Sequence, residues 1–174
     1  MARANLRVLI SAEKIAERVR ELGSQIDADY PDGPIVLIGI LKGAIMFHAD
    51  LARAITRPMR LDFIGISSYG KGKTTSGEVR LTRDLDASIE GMDVLIVEDI
   101  IDSGVTLSYL TQVLQQRKPK SVRTVTLLDK PDRRMRTVDV KYVGFRIPDE
   151  FVVGYGLDFA EEYRNLPDVC VLEE

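Results

Sequence analysis

Between Val94 and Leu107 the chain reads Val-Leu-Ile-Val-Glu-Asp-Ile-Ile-Asp-Ser-Gly-Val-Thr-Leu. Three carboxylates, Glu98, Asp99 and Asp102, two hydroxyls, Ser103 and Thr106, and one glycine, Gly104, fall within nine residues of each other. The run Val94 to Val97 before them is continuously apolar, the pattern of a strand buried on both faces. After Thr106, Leu107, Leu110 and Leu114 recur at helical spacing. A strand, a short turn with glycine and a helix bring unpaired first-turn amides to one point, where the helix dipole favours an anion. The amides of Gly104, Val105 and Thr106 and the two hydroxyls are the candidate donors. No Gly-Lys-[Ser/Thr] follows at Walker A spacing, and a single glycine is not a dinucleotide fingerprint. Carboxylates beside such a cradle would repel a bare phosphate. They fit a ligand that also offers hydroxyls or carries a metal ion, as a ribose 5′-phosphate would.

Other elements must present this stretch. The 174 residues suit one domain with a full core. Apolar content of 45% and charged content of 29% are those of a soluble globular protein. Apolar runs fall short of a membrane span, the first residues lack a signal-peptide core, and the lone Cys170 rules out an internal disulfide. A cytoplasmic location is the simplest expectation. The net charge of −3 gives no global field for nucleic acid or anionic lipid. Neither kind of partner is expected.

Ser11 caps a predicted helix to about Ala28, with Ile15, Val19, Leu22 and Ile26 on one face. Ile35 to Ile40 is a second buried strand, followed by Leu41-Lys42-Gly43 and a helix from about Ala44 to Ile55. Strand, turn and helix thus occur twice. In a parallel sheet both turns lie at the carboxyl edge, where ligands bind, and two helix N-termini there would suit a sugar phosphorylated at both ends. Leu61 to Ser67 reads as a strand, and Val79 and Leu81 as its return after a polar stretch rich in Lys, Gly, Thr and Ser. The helix after Thr106 is expected to end near Lys118-Pro119. Ser121 to Leu128 is a strand that places Lys130 at the same edge. Arg133 and Arg134 are within reach of a ligand, although a charged loop of this kind is usually just solvated. Lys141 to Phe145 and Val169 to Leu172 read as short strands, and Phe151 to Asp158 as a strand and turn. The only histidine, His48, has no metal-binding companion and reads as structural.

Val-Glu-Asp-Ile-Ile-Asp-Ser-Gly, with Leu41-Lys42-Gly43, Lys130 and Phe151 to Asp158 in the same order, resembles the type I phosphoribosyltransferases, in particular their hypoxanthine-guanine branch. The resemblance runs from about Ile35 to the C-terminus. It implies a mostly parallel α/β sheet flanked by helices on both faces. A small antiparallel hood would come from about residues 1–15 and 146–174, over a core of about 30–145. A lid of about 68–80 would include Ser68 and Tyr69. Val105 stands where some relatives carry a lysine or polar residue, but that position offers mainly its amide.

The resemblance also implies roles. Glu98 and Asp99 would hold the ribose hydroxyls of 5-phosphoribosyl-1-pyrophosphate (PRPP) and a magnesium ion. Asp102 would exchange a proton at purine N7, and Ser103, Gly104, Val105 and Thr106 would cradle the 5′-phosphate. Leu41, Lys42 and Gly43, whose family counterpart holds a cis peptide before the lysine, would take pyrophosphate together with Arg164. Lys130, Phe151, Val152 and Asp158 would bind the purine, with Asp158 also a metal contact. The implied reaction transfers phosphoribose to N9 of hypoxanthine or guanine. Lys130 and the Phe151 segment disfavour adenine, uracil or orotate. Relatives of this kind form homodimers or homotetramers. The alternative, a PRPP-sensing regulator of the same fold that binds nucleic acid, calls for a basic face or an added domain, and the sequence shows neither.

Overall fold

The computed structural model describes residues 5–68 and 79–173. Six strands form the main sheet: β2 (Ile35–Leu41), β3 (Met59–Ser68), β4 (Val79–Arg83), β5 (Asp93–Ile101), β6 (Ser121–Asp129) and β7 (Tyr142–Arg146). Their order is β4-β3-β2-β5-β6-β7. β3, β2, β5, β6 and β7 run parallel, and β4 closes one edge antiparallel to β3. The two strands with continuous apolar runs, β2 and β5, lie side by side at the centre, Leu37 against Leu95 and Gly39 against Val97. They are apolar throughout because both faces are covered. Ile35, Leu37, Leu95 and Val97 point into a core with α1 (Ala12–Asp29) and α2 (Ile45–Ala54). Val36, Ile38, Val94 and Ile96 point the other way, into a core with Leu107, Leu110 and Leu114 of α3 (Val105–Gln115).

A second sheet, β1-β9-β8, joins β1 (Asn5–Ile10), β8 (Val152–Val153) and β9 (Val169–Glu173), all antiparallel. It ties the two ends of the chain together. Arg7 of β1 pairs with Glu173 at 2.9 Å and with Glu150 at 2.8 Å, two residues from the β8 segment.

Periodicity alone does not mark β1 as a strand, because six residues with no partner in view show too little alternation to separate from coil. One expectation needs adjustment. α3 ends at Gln115 and not near Lys118, whose φ of 57° already lies outside the helix. Pro119 restricts the residue before it, so the chain turns earlier. The ends of α1 and α2 fall within a residue of expectation. The side chain of Ser68, Tyr69 and the stretch 70–78, expected as a lid, lie outside the described residues. Among the described residues no helix is long and apolar enough to cross a membrane.

Candidate active site

The parallel sheet brings the carboxyl ends of β2, β5 and β6 to one edge, as the sequence reading required. At the end of β5 the chain turns through Asp102, Ser103 and Gly104 into α3. Gly104 caps that helix with φ 82°, a left-handed conformation that glycine adopts without a Cβ penalty. A Cβ there would also come within 2.7 Å of the Arg136 carbonyl. The turn is braced from outside. The Ser103 carbonyl accepts from the amides of Met135 and Arg136, at 2.8 and 3.0 Å. Arg134 donates to the Asp102 carbonyl at 3.0 Å and to Asp129 at 2.6 Å. Arg134 is thus a structural brace.

Glu98, Asp102, Ser103, Gly104 and Thr106 line a recess of about 100 Å³ at the α3 N-terminus. The Val105 amide donates to Ser103 Oγ at 3.3 Å. The amides of Thr106 and Leu107 fall in the first helical turn and have no intrahelical acceptor. The recess therefore combines amides, hydroxyls and the positive end of a helix.

A larger cleft of about 450 Å³ adjoins it, lined by Asp99, Asp102, Lys130, Phe151, Val152 and Asp158 among others. Asp102 borders both spaces. Phe151 is 52% exposed, and its ring makes a T-shaped contact with Phe159, centroids 5.7 Å apart. Lys130, in contrast, is only 7% exposed. The cleft has an aromatic wall, a buried cation and carboxylates at one side.

Glu98 is buried and, among the described residues, has no ion-pair partner. Burial raises its carboxyl well above the usual carboxylate range, and the neighbouring Asp99 adds to the rise. Burial likewise pushes Asp99 up to about 6, against the pull of the Ile100 amide and the Arg164 charge. The two side chains are poised for something that offsets negative charge: a cation or sugar hydroxyls.

The loop at the end of β2 closes the site from the far side. The Leu41–Lys42 peptide is cis. A Cβ on Gly43 would overlap the Asp99 carboxylate, so only glycine lets that loop approach β5. Gly156, at φ 100°, packs in turn on the Gly43 carbonyl. Lys42 reaches Glu161 at 3.0 Å. Arg164 donates to the Gly156 carbonyl at 2.7 Å and pairs with Asp158 at 3.3 Å and Glu161 at 3.4 Å. Leu41, Lys42, Gly43 and Arg164 are thus gathered beside Asp99 and Asp158. Among the described residues no three His, Cys, Asp or Glu side chains converge to hold a metal ion by themselves. Asp158 is turned to Arg164 and to the Glu161 amide, 2.9 Å away.

Asp149 carries no motif in the sequence, and Arg133 reads there as part of a solvated charged loop. Both line the cleft. Arg133 Nε is 2.8 Å from Asp102 Oδ1, and Asp149 lies 3.2 Å from Arg133. The only signal for Asp149 was its place two residues before Phe151. His48 is structural as read: it is buried, its ring packs on Phe63 at 4.6 Å, and Nε2–H donates to the Leu37 carbonyl at 2.9 Å.

Comparison with known proteins agrees with this arrangement. Residues 9–160 match the phosphoribosyl transferase domain. The chain is 53% identical over 167 residues to the hypoxanthine-guanine phosphoribosyltransferase of Bacillus subtilis (strain 168), covering 96% of this chain and 93% of that one. A crystal structure of a hypoxanthine phosphoribosyltransferase from Staphylococcus aureus has a TM-score of 0.93 at 50% identity, over 96% of this chain and 91% of that one. A hypoxanthine-guanine phosphoribosyltransferase from Bacillus anthracis, solved with HEPES in its active site, has a TM-score of 0.92 at 49% identity, covering 96% and 98%. Matched over 96% of its length at about half identity, the chain belongs to the phosphoribosyltransferase family, in the hypoxanthine-guanine branch.

Proposed function

We propose that this enzyme transfers the 5-phosphoribosyl group of PRPP to N9 of hypoxanthine or guanine, giving IMP or GMP and pyrophosphate. The observation that carries the reading is the position of Asp102, which borders both the amide-lined recess and the aromatic-walled cleft. A phosphoribosyl group in the recess and a purine in the cleft would meet beside it.

In this reading Ser103, Gly104, Val105 and Thr106 hold the 5′-phosphate, with the α3 dipole adding to the attraction. Glu98 and Asp99 hold the ribose hydroxyls. Leu41, Lys42, Gly43 and Arg164 receive the pyrophosphate, whose departure leaves positive charge on the ribose ring. Asp102 takes the proton from purine N7 as N9 bonds to C1. Lys130 donates to the 6-oxo group, Phe151 stacks on the ring, and carbonyls near Val152 and Asp158 face position 2. Excluding water keeps it from capturing the cation. The segments 1–15 and 146–174 act as a hood over the core of 30–145.

Magnesium fits the donor set. Glu98 and Asp99 are hard oxygen ligands whose ionised forms burial penalises, so a divalent ion beside them offsets that cost. Ligand oxygens and water would complete its shell, with Asp158 nearby. When bound, the ion neutralises pyrophosphate charge. The remaining features of the reading are a cytoplasmic location and a homodimer or homotetramer. The exposed Ile45, Met46 and Leu61 provide apolar surface for such assembly.

The test is turnover of hypoxanthine with PRPP and magnesium, followed by pyrophosphate release. Tight nucleic-acid binding with no turnover would favour the regulator instead.

A further inference from the structure

Lys130 directly follows β6 and lines the cleft, where its ammonium has three donors to place. Among the described residues the one carboxylate within 4.0 Å is Asp149, with Oδ1 at 3.8 Å from Nζ. That distance is too long for a hydrogen bond but short enough to balance charge. The ammonium is therefore compensated while its donors stay available to a ligand.

Asp149 is itself held in place. It sits in the Ile147-Pro148-Asp149-Glu150 turn, where the Ile147 amide donates to the Asp129 carbonyl at 3.0 Å and Glu150 is anchored by Arg7. Its carboxylate also takes Arg133 Nη1 at 3.2 and 3.3 Å. Arg133 in turn lies 2.8 Å from Asp102 Oδ1. One wall of the cleft thus carries alternating charges in the order Lys130, Asp149, Arg133, Asp102.

We propose that Asp149 is a positioning residue that sets the cleft's preference for a 6-oxo purine, by steadying Lys130 without occupying its donors. This rests on the reading of Lys130 given above. Without Asp149, a mostly buried ammonium loses its counter-charge. Asp99, Asp102 and Asp158 line the same cleft and would compete for it. Lys130 would then turn away from the position of the 6-oxo group. The 6-amino group of an aminopurine offers an ammonium no acceptor, so binding of such a purine should respond much less to the change.

The experiment measures binding of inosine and adenosine 5′-monophosphates by calorimetry to the wild type and to Asp149→Asn. The wild type is expected to prefer inosine monophosphate. Asp149→Asn should weaken that nucleotide about tenfold while adenosine monophosphate changes by less than about twofold. An undiminished preference, or equal weakening of both nucleotides, would overturn the proposal alone. A wild type that binds both equally would remove the reading of Lys130 and the proposal with it.

Discussion

The recess at the start of α3 and the cleft beside it are built by different means. The recess is backbone: amides of a helix whose Leu107, Leu110 and Leu114 are buried, after a strand whose Val94 to Val97 are fully buried. Its outer side is braced by Met135, Arg136 and Arg134. The cleft is side chain: Lys130, Arg133, Asp149 and Phe151 stand on the ends of strands and on turns, and Arg133, Asp149 and Phe151 are largely open to solvent. A helix N-terminus recognises any phosphate and cannot be retuned by one substitution. Side chains on turns can be exchanged singly, so the proposed function assigns the choice of base to them. Under that proposal the constant half of the substrate would be met by the core, and the variable half by its rim.

The largest effect should come from challenging the cleft with the wrong base. An ammonium faces an oxygen acceptor in hypoxanthine and guanine but an amino donor in adenine. Sites built on such a bond discriminate by roughly 10⁴–10⁵. Comparison of kcat/KM for hypoxanthine, guanine, xanthine and adenine should place the first two well ahead of xanthine and leave adenine essentially unused. Adenine turning over as fast as hypoxanthine would remove Lys130 from its role.

Where recess and cleft meet, Asp102→Asn keeps the shape and removes the proposed base. A fall in kcat of roughly 10²–10⁴ with little change in PRPP affinity is expected from steady-state kinetics and direct binding. Equal loss of binding and turnover would make Asp102 a ribose or metal ligand instead.

Each half can then be damaged alone. Phe151→Ala removes a stacking surface of ~1–3 kcal/mol and should raise the purine KM by roughly 5- to 150-fold, with the PRPP KM little moved. Gly104→Ala should do the reverse. Its φ of 82° and the nearby Arg136 carbonyl oppose a Cβ, so the PRPP KM should rise about tenfold, with ~1–2 kcal/mol of stability lost on thermal unfolding. If both variants raised both constants equally, the division into two halves would fail.

The smallest effect concerns the core behind both. Burial lowers the pKa of His48, and only the Leu37 carbonyl opposes this. A histidine depressed in the fold contributes stability above its unfolded value of about 6.5, and this is lost as pH falls through the folded value. The melting temperature should therefore drop more between pH 7.5 and 5 in the wild type than in His48→Asn. An identical drop in both would show that His48 takes no part in acid sensitivity.

Much of this was legible from the chain. Continuous apolar runs at Ile35–Ile40 and Val94–Val97 announce strands covered on both faces, and such strands in a parallel sheet put their following turns on one edge. Leucines at helical spacing after Gly104 mark the α3 N-terminus, so the recess, with Glu98 to Thr106, needed only local order. Periodicity and turn chemistry are short-range, and a short-range pattern survives in sequence.

Distance in sequence hides the rest. Asp149 and Lys130 are nineteen positions apart, and Arg133 and Asp102 thirty-one apart. Nothing local makes either pair distinct from solvated surface charge. β1 gains its meaning only from β9 at the other end of the chain, register Asn5 with Glu173. Gly43 reads as an ordinary turn glycine until Asp99 is set against it. The sequence by itself determined the layered α/β core and the residue types at its carboxyl edge, because burial and helix or strand periodicity are written residue by residue. Only the tertiary structure decided which charges face one another across the cleft, because ion pairs depend on where separate turns come to rest.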